Sequence, residues 1–311
     1  MSSLAPRRSQ STQGSLVRDN GRVRSISRIE LGEPIYAGWG PDAYLVQGEE
    51  EGLVARASSP ATLERERAWV EAVRAEGYPA PEPVAAAGGM LVFRRPPGTN
   101  LAERMIGDMP ALPRLLADFG RLHAALHALP VAEGPPVSDP TAPAPGEEIA
   151  PTVARQRAWL DREHRPAGRR VVCHGDLTPV HVLRDGDANP GVPVNWTAAT
   201  VAEPEHDVAA TLVGFWSSAL YGNAVQRRLL RLAREPLAAA YLSAYREVAP
   251  WPLEDGRLRY WQAFHLHRLA AAVDRRLRHG PAGPWDPAAH VATPTRALQE
   301  IDRRFRELIA G

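Results

Sequence analysis

The sequence predicts an α+β protein, and three observations predict it. Through residue 95, short apolar runs are cut by Gly and Pro around a single helical stretch. From about residue 205 onward, long segments carry apolar residues at helical spacing. Between these regions, around 171–196, short strand-like runs flank loops with clustered polar side chains. A chain of 311 residues, 44% hydrophobic and 23% charged, suits one two-lobed domain or two small ones.

The elements follow in order. Residues 1 to about 25 are rich in Ser, Arg and Gln without apolar periodicity and are expected to form a disordered arm. Ile35 to Val46 reads as strand, Gly turn and strand around Gly38-x-Gly40, a pattern that an ordinary hairpin also satisfies. Pro41 removes one backbone donor from that turn. Leu53–Ala57 reads as the next strand, and Leu63, Trp69, Val70 and Val73 mark a helix. An extended stretch from Gly77 to Val84 leads to a strand at Met90–Arg95, closed by Pro96-Pro97-Gly98. Leu112–Leu129 is an amphipathic helix whose His123 and His127 are read as ordinary helix histidines without an acidic partner. Residues 130–150 form a Pro-rich loop. A short helix near 151–162 precedes the central hairpins. Helices are then expected at 205–220, 224–248, 256–279 and 292–309, with Pro236, Pro250 and Pro252 breaking or bounding them.

The totals exclude several functions. A net charge of +1 gives no global case for nucleic-acid binding. No apolar run is long enough for a membrane span, and the N-terminus lacks the apolar core of a secretory signal. A single Cys173 excludes an intramolecular disulfide and fits a reducing, cytoplasmic setting. All 37 basic residues are Arg, so no lysine is present to hold a phosphate.

The chemistry concentrates in one stretch. The apolar run Val171–Cys173 is followed by His174-Gly175-Asp176-Leu177-Thr178-Pro179-Val180-His181, and Val192–Val194 is followed by Asn195-Trp196. A carboxylate at a strand end can take a proton from a hydroxyl. Two polar groups on the next hairpin can hold Mg²⁺ against nucleotide phosphates. Ala202-Glu203-Pro204-Glu205-His206-Asp207-Val208-Ala209 then opens a helix.

These segments together resemble the aminoglycoside phosphotransferase family, which shares the protein-kinase fold. The resemblance implies a two-lobed protein-kinase-like fold: a small antiparallel-sheet N-lobe over 26–95, and a mainly helical C-lobe over 96–311 with catalytic-loop hairpins at 171–196. It places Asp176 as catalytic base. It places His181 where the family usually has a metal-binding Asn, as macrolide phosphotransferases also do. Asn195 falls where the family has a metal-binding Asp. Arg56 stands in the position of the strand Lys, Glu66 in that of its helix partner, and Gly38 and Gly40 in the loop over the phosphates. Phe93 lies in the strand entering the hinge that meets the nucleotide base. ATP or GTP with Mg²⁺ is the implied cofactor of an active enzyme.

The chain thus keeps the base and alters both metal ligands. Asp185, Asp187, Glu203 and Glu205 are the substitutes weighed, and none is a clear rescue. The expected function is a degenerate, pseudokinase-like protein, needing no cofactor. It would bind a small molecule or peptide between the lobes, in natural-product metabolism, and be recruited to peptide modification such as cyclisation. There His174, His181 or Asp176 would act in acid/base chemistry. One alternative is an active phosphotransferase passing phosphate to an alcohol group of a natural product or antibiotic such as a macrolide. Another is a non-catalytic scaffold for a pathway enzyme. The aromatic residues Trp216, Tyr221, Tyr241, Tyr245, Trp251, Tyr260, Trp261 and Phe264 would form the acceptor wall or core. The excess of Arg over acid beyond residue 205 argues against polycationic ligands.

Overall fold

Side-chain alternation along strands decides which groups reach the centre of this molecule. The computed structural model describes residues 12–19, 22–29, 31–35, 43–46, 52–87, 89–130, 148–163, 168–187, 189–280 and 291–310. In it, β1 (Thr12–Asp19) and β2 (Arg22–Ile29) pair antiparallel. The expected disordered arm is therefore corrected from residue 12 onward. The signal was present in Asn20-Gly21, a dipeptide suited to tight hairpin turns, between two runs of alternating character.

β3 (Leu31–Pro34), β4 (Ala43–Val46), β5 (Leu53–Ala57), β6 (Glu82–Ala87) and β7 (Met90–Arg94) form one antiparallel sheet in the order β3-β4-β5-β7-β6. Successive side chains in a strand point to opposite faces. Leu53 and Ala55 join Met90 and Val92 in a small cluster on one face. Val54 and Phe93 join the main core on the other, and Arg56 shares their face by register. That face is covered by α1 (Pro60–Ala75), which begins at an N-cap where Ser59 Oγ accepts from Thr62 N–H at 3.3 Å. Its buried stripe is Leu63, Glu66, Trp69, Val70 and Val73. Glu66 occupies an apolar position of that stripe, so helical periodicity alone drives a carboxylate inward toward Arg56.

After β8 (Thr99–Asn100) the chain becomes mostly helical. Asn100 Oδ1 caps α2 (Leu101–Gly107) by accepting from Glu103 N–H at 2.9 Å. α3 (Leu112–His127) and α4 (Pro151–Arg162) precede the central strands. There β9 (Val171–Cys173) anticipates its partner β12 (Thr200–Ala202), while β10 (Val182–Arg184) lies between β11 (Val192–Pro193) and β8. α5 (Pro204–Ser217), α6 (Ala224–Val248), α7 (Asp255–His279) and α8 (Pro294–Ala310) complete the chain. α6 runs through Pro236 without a break, against the expectation that this proline would interrupt or bound a helix. A separate core of Val153, Leu160, Trp216, Leu266, Ile301 and Phe305 ties α4, α5, α7 and α8 together.

α3 crosses α6 at Gly120. A Cβ there would lie 2.7 Å from the Tyr241 carbonyl oxygen and 2.8 Å from the Tyr245 nitrogen. Both are backbone atoms and cannot rotate away. Gly120→Ala gains about 1 kcal/mol of helix propensity, but overpacking costs roughly 1–3 kcal/mol. Because both clashing atoms are backbone, the cost falls at the upper end, and we expect a net loss of stability of up to about 2 kcal/mol, read as a lower urea midpoint. An unchanged or higher midpoint would show that the helices can separate freely.

Candidate active site

The loop after β9 is held by one buried carboxylate. Asp207, on the first turns of α5, accepts from His174 N–H at 2.7 Å with Oδ2 and from Gly175 N–H at 2.8 Å with Oδ1. Gly175 is required there. It has φ of 82°, and a Cβ would meet the Ala198 carbonyl oxygen at 2.2 Å. His123 Nε2 lies 3.2 Å and His127 Nε2 3.4 Å from Asp207 Oδ2. Each imidazole is bonded at Nδ1 to a tyrosine hydroxyl, His123 to Tyr241 and His127 to Tyr245, both at 2.7 Å. Burial would raise the Asp207 pKa, yet the two histidines hold it well below the usual carboxylate value.

The expectation that His123 and His127 lack an acidic partner is therefore corrected by Asp207. This His/His/Asp set has metal-ligand character. However, Asp207 already spends both oxygens on the loop backbone, and all three side chains are fully buried. Tyr241 and Tyr245 are likewise core residues, not an acceptor wall.

This anchoring presents Asp176, whose carboxylate is 50% exposed. Desolvation raises its pKa, and the basic side chains nearby, His181 foremost, oppose the rise. His181 lies in the turn Pro179–His181. Its Nδ1 donates to the Asp176 carbonyl oxygen at 2.7 Å, so Nε2 is left as the acceptor nitrogen. That nitrogen faces Asn195 Nδ2 at 3.4 Å. Asn195 takes a left-handed backbone conformation with φ of 68°, which Asn tolerates better than most residues. Its Oδ1 accepts from Arg56 at 2.8 Å and from Thr197 Oγ1 at 3.0 Å.

Arg56 also donates to Glu66 Oε1 at 3.1 Å, and that same oxygen accepts from Trp196 N–H at 3.1 Å. Arg56 and Glu66 are each 1% exposed and Asn195 is 6% exposed. Desolvation raises the Glu66 pKa, with Arg56 opposing it. The structure thus brings together Arg56, Glu66, Asn195, His181 and Asp176 across 139 residues of sequence separation between Arg56 and Asn195.

Other expected site residues fall elsewhere. His174 is fully buried, and its Nε2 donates to the Val194 carbonyl oxygen at 3.0 Å. Its expected role in acid/base chemistry is therefore corrected: burial pushes its pKa down to about 3 and keeps it from solvent. Phe93 is a core side chain, 1% exposed, so any nucleotide contact in its strand is left to backbone atoms. Gly38 and Gly40 lie outside the described residues, as does residues 131–147 of the Pro-rich loop. Among the weighed carboxylates, Asp187 pairs with Arg104 and Arg114. Glu203 accepts from the Trp261 indole at 2.6 Å, and Glu205 accepts from Glu254 N–H at 2.8 Å. Sequence reasoning missed Thr197 and the anchoring role of Asp207, since neither distance exists before folding.

Burial also fixes a pH dependence. It lowers His127 to about 4, His174 to about 3 and His206 to about 4. An unfolded histidine titrates near ~6.5. Below that value the unfolded chain binds protons that the native state refuses, so stability is full above it and falls as pH drops toward 4. The raised pKa values of Glu66 and Asp176 act in the opposite sense and offset part of the loss. We expect Tm at pH 5 to lie roughly 5–10 °C below that at pH 7.5. A flat calorimetric profile over this range would contradict it.

Comparison with known proteins identifies the family and the fold. The phosphotransferase enzyme family matches residues 32–251. No curated protein matches by sequence. Among solved structures, a putative aminoglycoside phosphotransferase from Ralstonia eutropha is 16% identical with a TM-score of 0.62, covering 91% of this chain and 93% of its own. Amicoumacin kinase, solved in complex with AMP-PNP, Ca²⁺ and Ami, is 13% identical with a TM-score of 0.59, covering 90% of this chain and 91% of its own. Macrolide 2'-phosphotransferase from Brachybacterium faecium is 20% identical with a TM-score of 0.53, covering 91% and 94%. At these identities the structures establish a shared kinase-like fold. With residues 32–251 matched and the anchored loop in place, the chain belongs to the phosphotransferase enzyme family.

Proposed function

We propose that this protein is a metal-poor member of its family that binds a small molecule or peptide between the lobes, with little phosphoryl transfer. One observation carries the reading: the Asn195 amide bridges Arg56 and His181. Hydrogen-bond donors and acceptors fix its orientation. Arg56 can only donate, so it meets Oδ1. His181 Nε2 accepts, so it meets Nδ2. Both residues at the expected metal positions are thus turned toward protein partners.

Charge supports the same reading. Arg56 and Glu66 sum to zero, and Asn195 adds nothing. A carboxylate at 195 would leave one negative charge for a cation to neutralise. Mg²⁺ prefers hard oxygen ligands, and a set of one imidazole and one engaged amide is a poor match. The residues present do not fit a nucleotide-bound Mg²⁺. What remains in the cleft is Asp176, a half-exposed carboxylate beside His181 on a rigidly held loop.

Asp176 also favours a second reading, an O-phosphotransferase using ATP or GTP. In it, Asp176 takes the proton from an acceptor alcohol as the oxygen attacks. The two readings separate by nucleotide binding in calorimetry, with and without Mg²⁺, beside the variant Asn195→Asp. The first expects wild-type binding to be absent or indifferent to Mg²⁺, and Mg²⁺ to raise the Tm of Asn195→Asp alone. Tight Mg²⁺-dependent nucleotide binding by the wild type would replace it with the second reading. Asp176→Asn would then lower kcat by at least about 10²-fold.

A further inference from the structure

α5 has two working faces. One carries the loop of Asp176: Thr211 Oγ1 donates to the Leu177 carbonyl oxygen at 2.5 Å, and the Thr178 methyl packs over Gly214. A helix turns about 100° per residue, so Leu212 and Trp216 fall on the roughly opposite face. There they line a cavity of about 260 Å³ bounded by side chains of α6, α7 and α8. Leu212 belongs to the main core and Trp216 to the second one. The cavity is thus a seam that the two cores meet without filling, in a molecule whose interior is otherwise expected to be close-packed.

Two guanidinium groups reach this cavity. Arg234 of α6 lies over the Trp216 ring, 5.5 Å from its centroid, and Arg304 comes from α8. Both approach one oxygen, Glu235 Oε1, with Arg234 Nε at 3.8 Å and Arg304 Nη2 at 4.0 Å. Neither distance is a hydrogen bond. Arg234 Nε is shielded from water and has no hydrogen-bond partner among the described residues. Arg304 Nη1 also lies 3.9 Å from Glu307, whose Oε1 already accepts from Arg303 at 3.0 Å. Neighbouring pairs are tighter: Arg231 meets Glu300 at 3.0 Å, and Arg278 meets Asp274 at 2.8 Å. Glu235 itself is 63% exposed. Two cations therefore converge on one loosely held, solvent-facing carboxylate beside an apolar cavity.

We propose that this cavity is a second ligand site, which takes an organic acid with one carboxylate and a compact apolar body. The ligand's carboxylate displaces that of Glu235 between Arg234 and Arg304, where guanidinium forks offer it paired N–H donors. Its chain or ring lies against Leu212, Trp216 and Leu242, and burial of that apolar surface drives the binding. An apolar amine would meet two like charges. Inorganic phosphate would find the arginines but leave the apolar floor uncovered. The site is separate from the cleft at Asp176 and holds whether or not that cleft transfers phosphate.

The test titrates the full chain with octanoate and with phenylacetate at constant ionic strength, beside octylamine and inorganic phosphate as controls. The readouts are the Trp216 indole N–H signal in NMR and the melting temperature. In wild type, at least one of the two acids should move the Trp216 signal and raise the melting temperature, while the controls at equal concentration do neither. Arg234→Gln and Arg304→Gln should each need about tenfold more acid. Glu235→Gln should need several-fold less, because the competing carboxylate is gone. Arg304 and Glu235 are partly exposed and loosely paired, so these two variants carry the comparison if Arg234→Gln folds poorly. A wild type that responds to neither acid would overturn the proposal. An equal response to octylamine would reduce the cavity to an apolar sink and overturn it too. So would Arg304→Gln and Glu235→Gln titrations that superimpose on the wild type's.

Discussion

The Asp207 carboxylate is the constraint on which the rest of the site depends. It lies fully buried on α5, yet it reaches two other parts of the chain: the loop backbone at His174 and Gly175, and two histidines on α3. Those histidines in turn hold tyrosines of α6. A buried charge is tolerable only when its lone pairs are met, and here they are met by groups from separate elements. Removing the carboxylate would loosen the loop that presents Asp176 and leave two imidazoles facing an empty position. The geometry of the loop that carries Asp176 and the packing of the helices are therefore one network.

Local chemistry explains why so much of the fold was legible. Helices at 151–162, 205–220, 224–248, 256–279 and 292–309 lie within a few residues of α4 through α8, because long apolar periodicity is a strong signal. Strand β5 likewise coincides with its expected range. Pro236 misled because a proline's penalty is local, and tertiary packing carries a long helix through it. The pairing of β1 with β2 is not evident from the sequence because the polar composition of this stretch outweighs the Asn20-Gly21 dipeptide.

The site was legible in a different way. Glu66 and Arg56 were placed together by resemblance, and their ion pair is present at 3.1 Å. The burial of His174 was not visible, since a histidine before Gly-Asp looks equally suited to packing or chemistry until Val194 is found beside it. The absence of an acid near His123 and His127 was inferred from nearby sequence alone. Asp207 lies 80 residues beyond His127, and only the crossing of α3 and α5 brings it there.

The two unusual substitutions at the cleft belong together physically. One nitrogen of Arg56, Nη1, donates to both Glu66 and residue 195. Opposite that donor, a neutral amide closes the network without a metal, while its second arm engages His181. An aspartate there would keep an excess negative charge and a reason to recruit a cation.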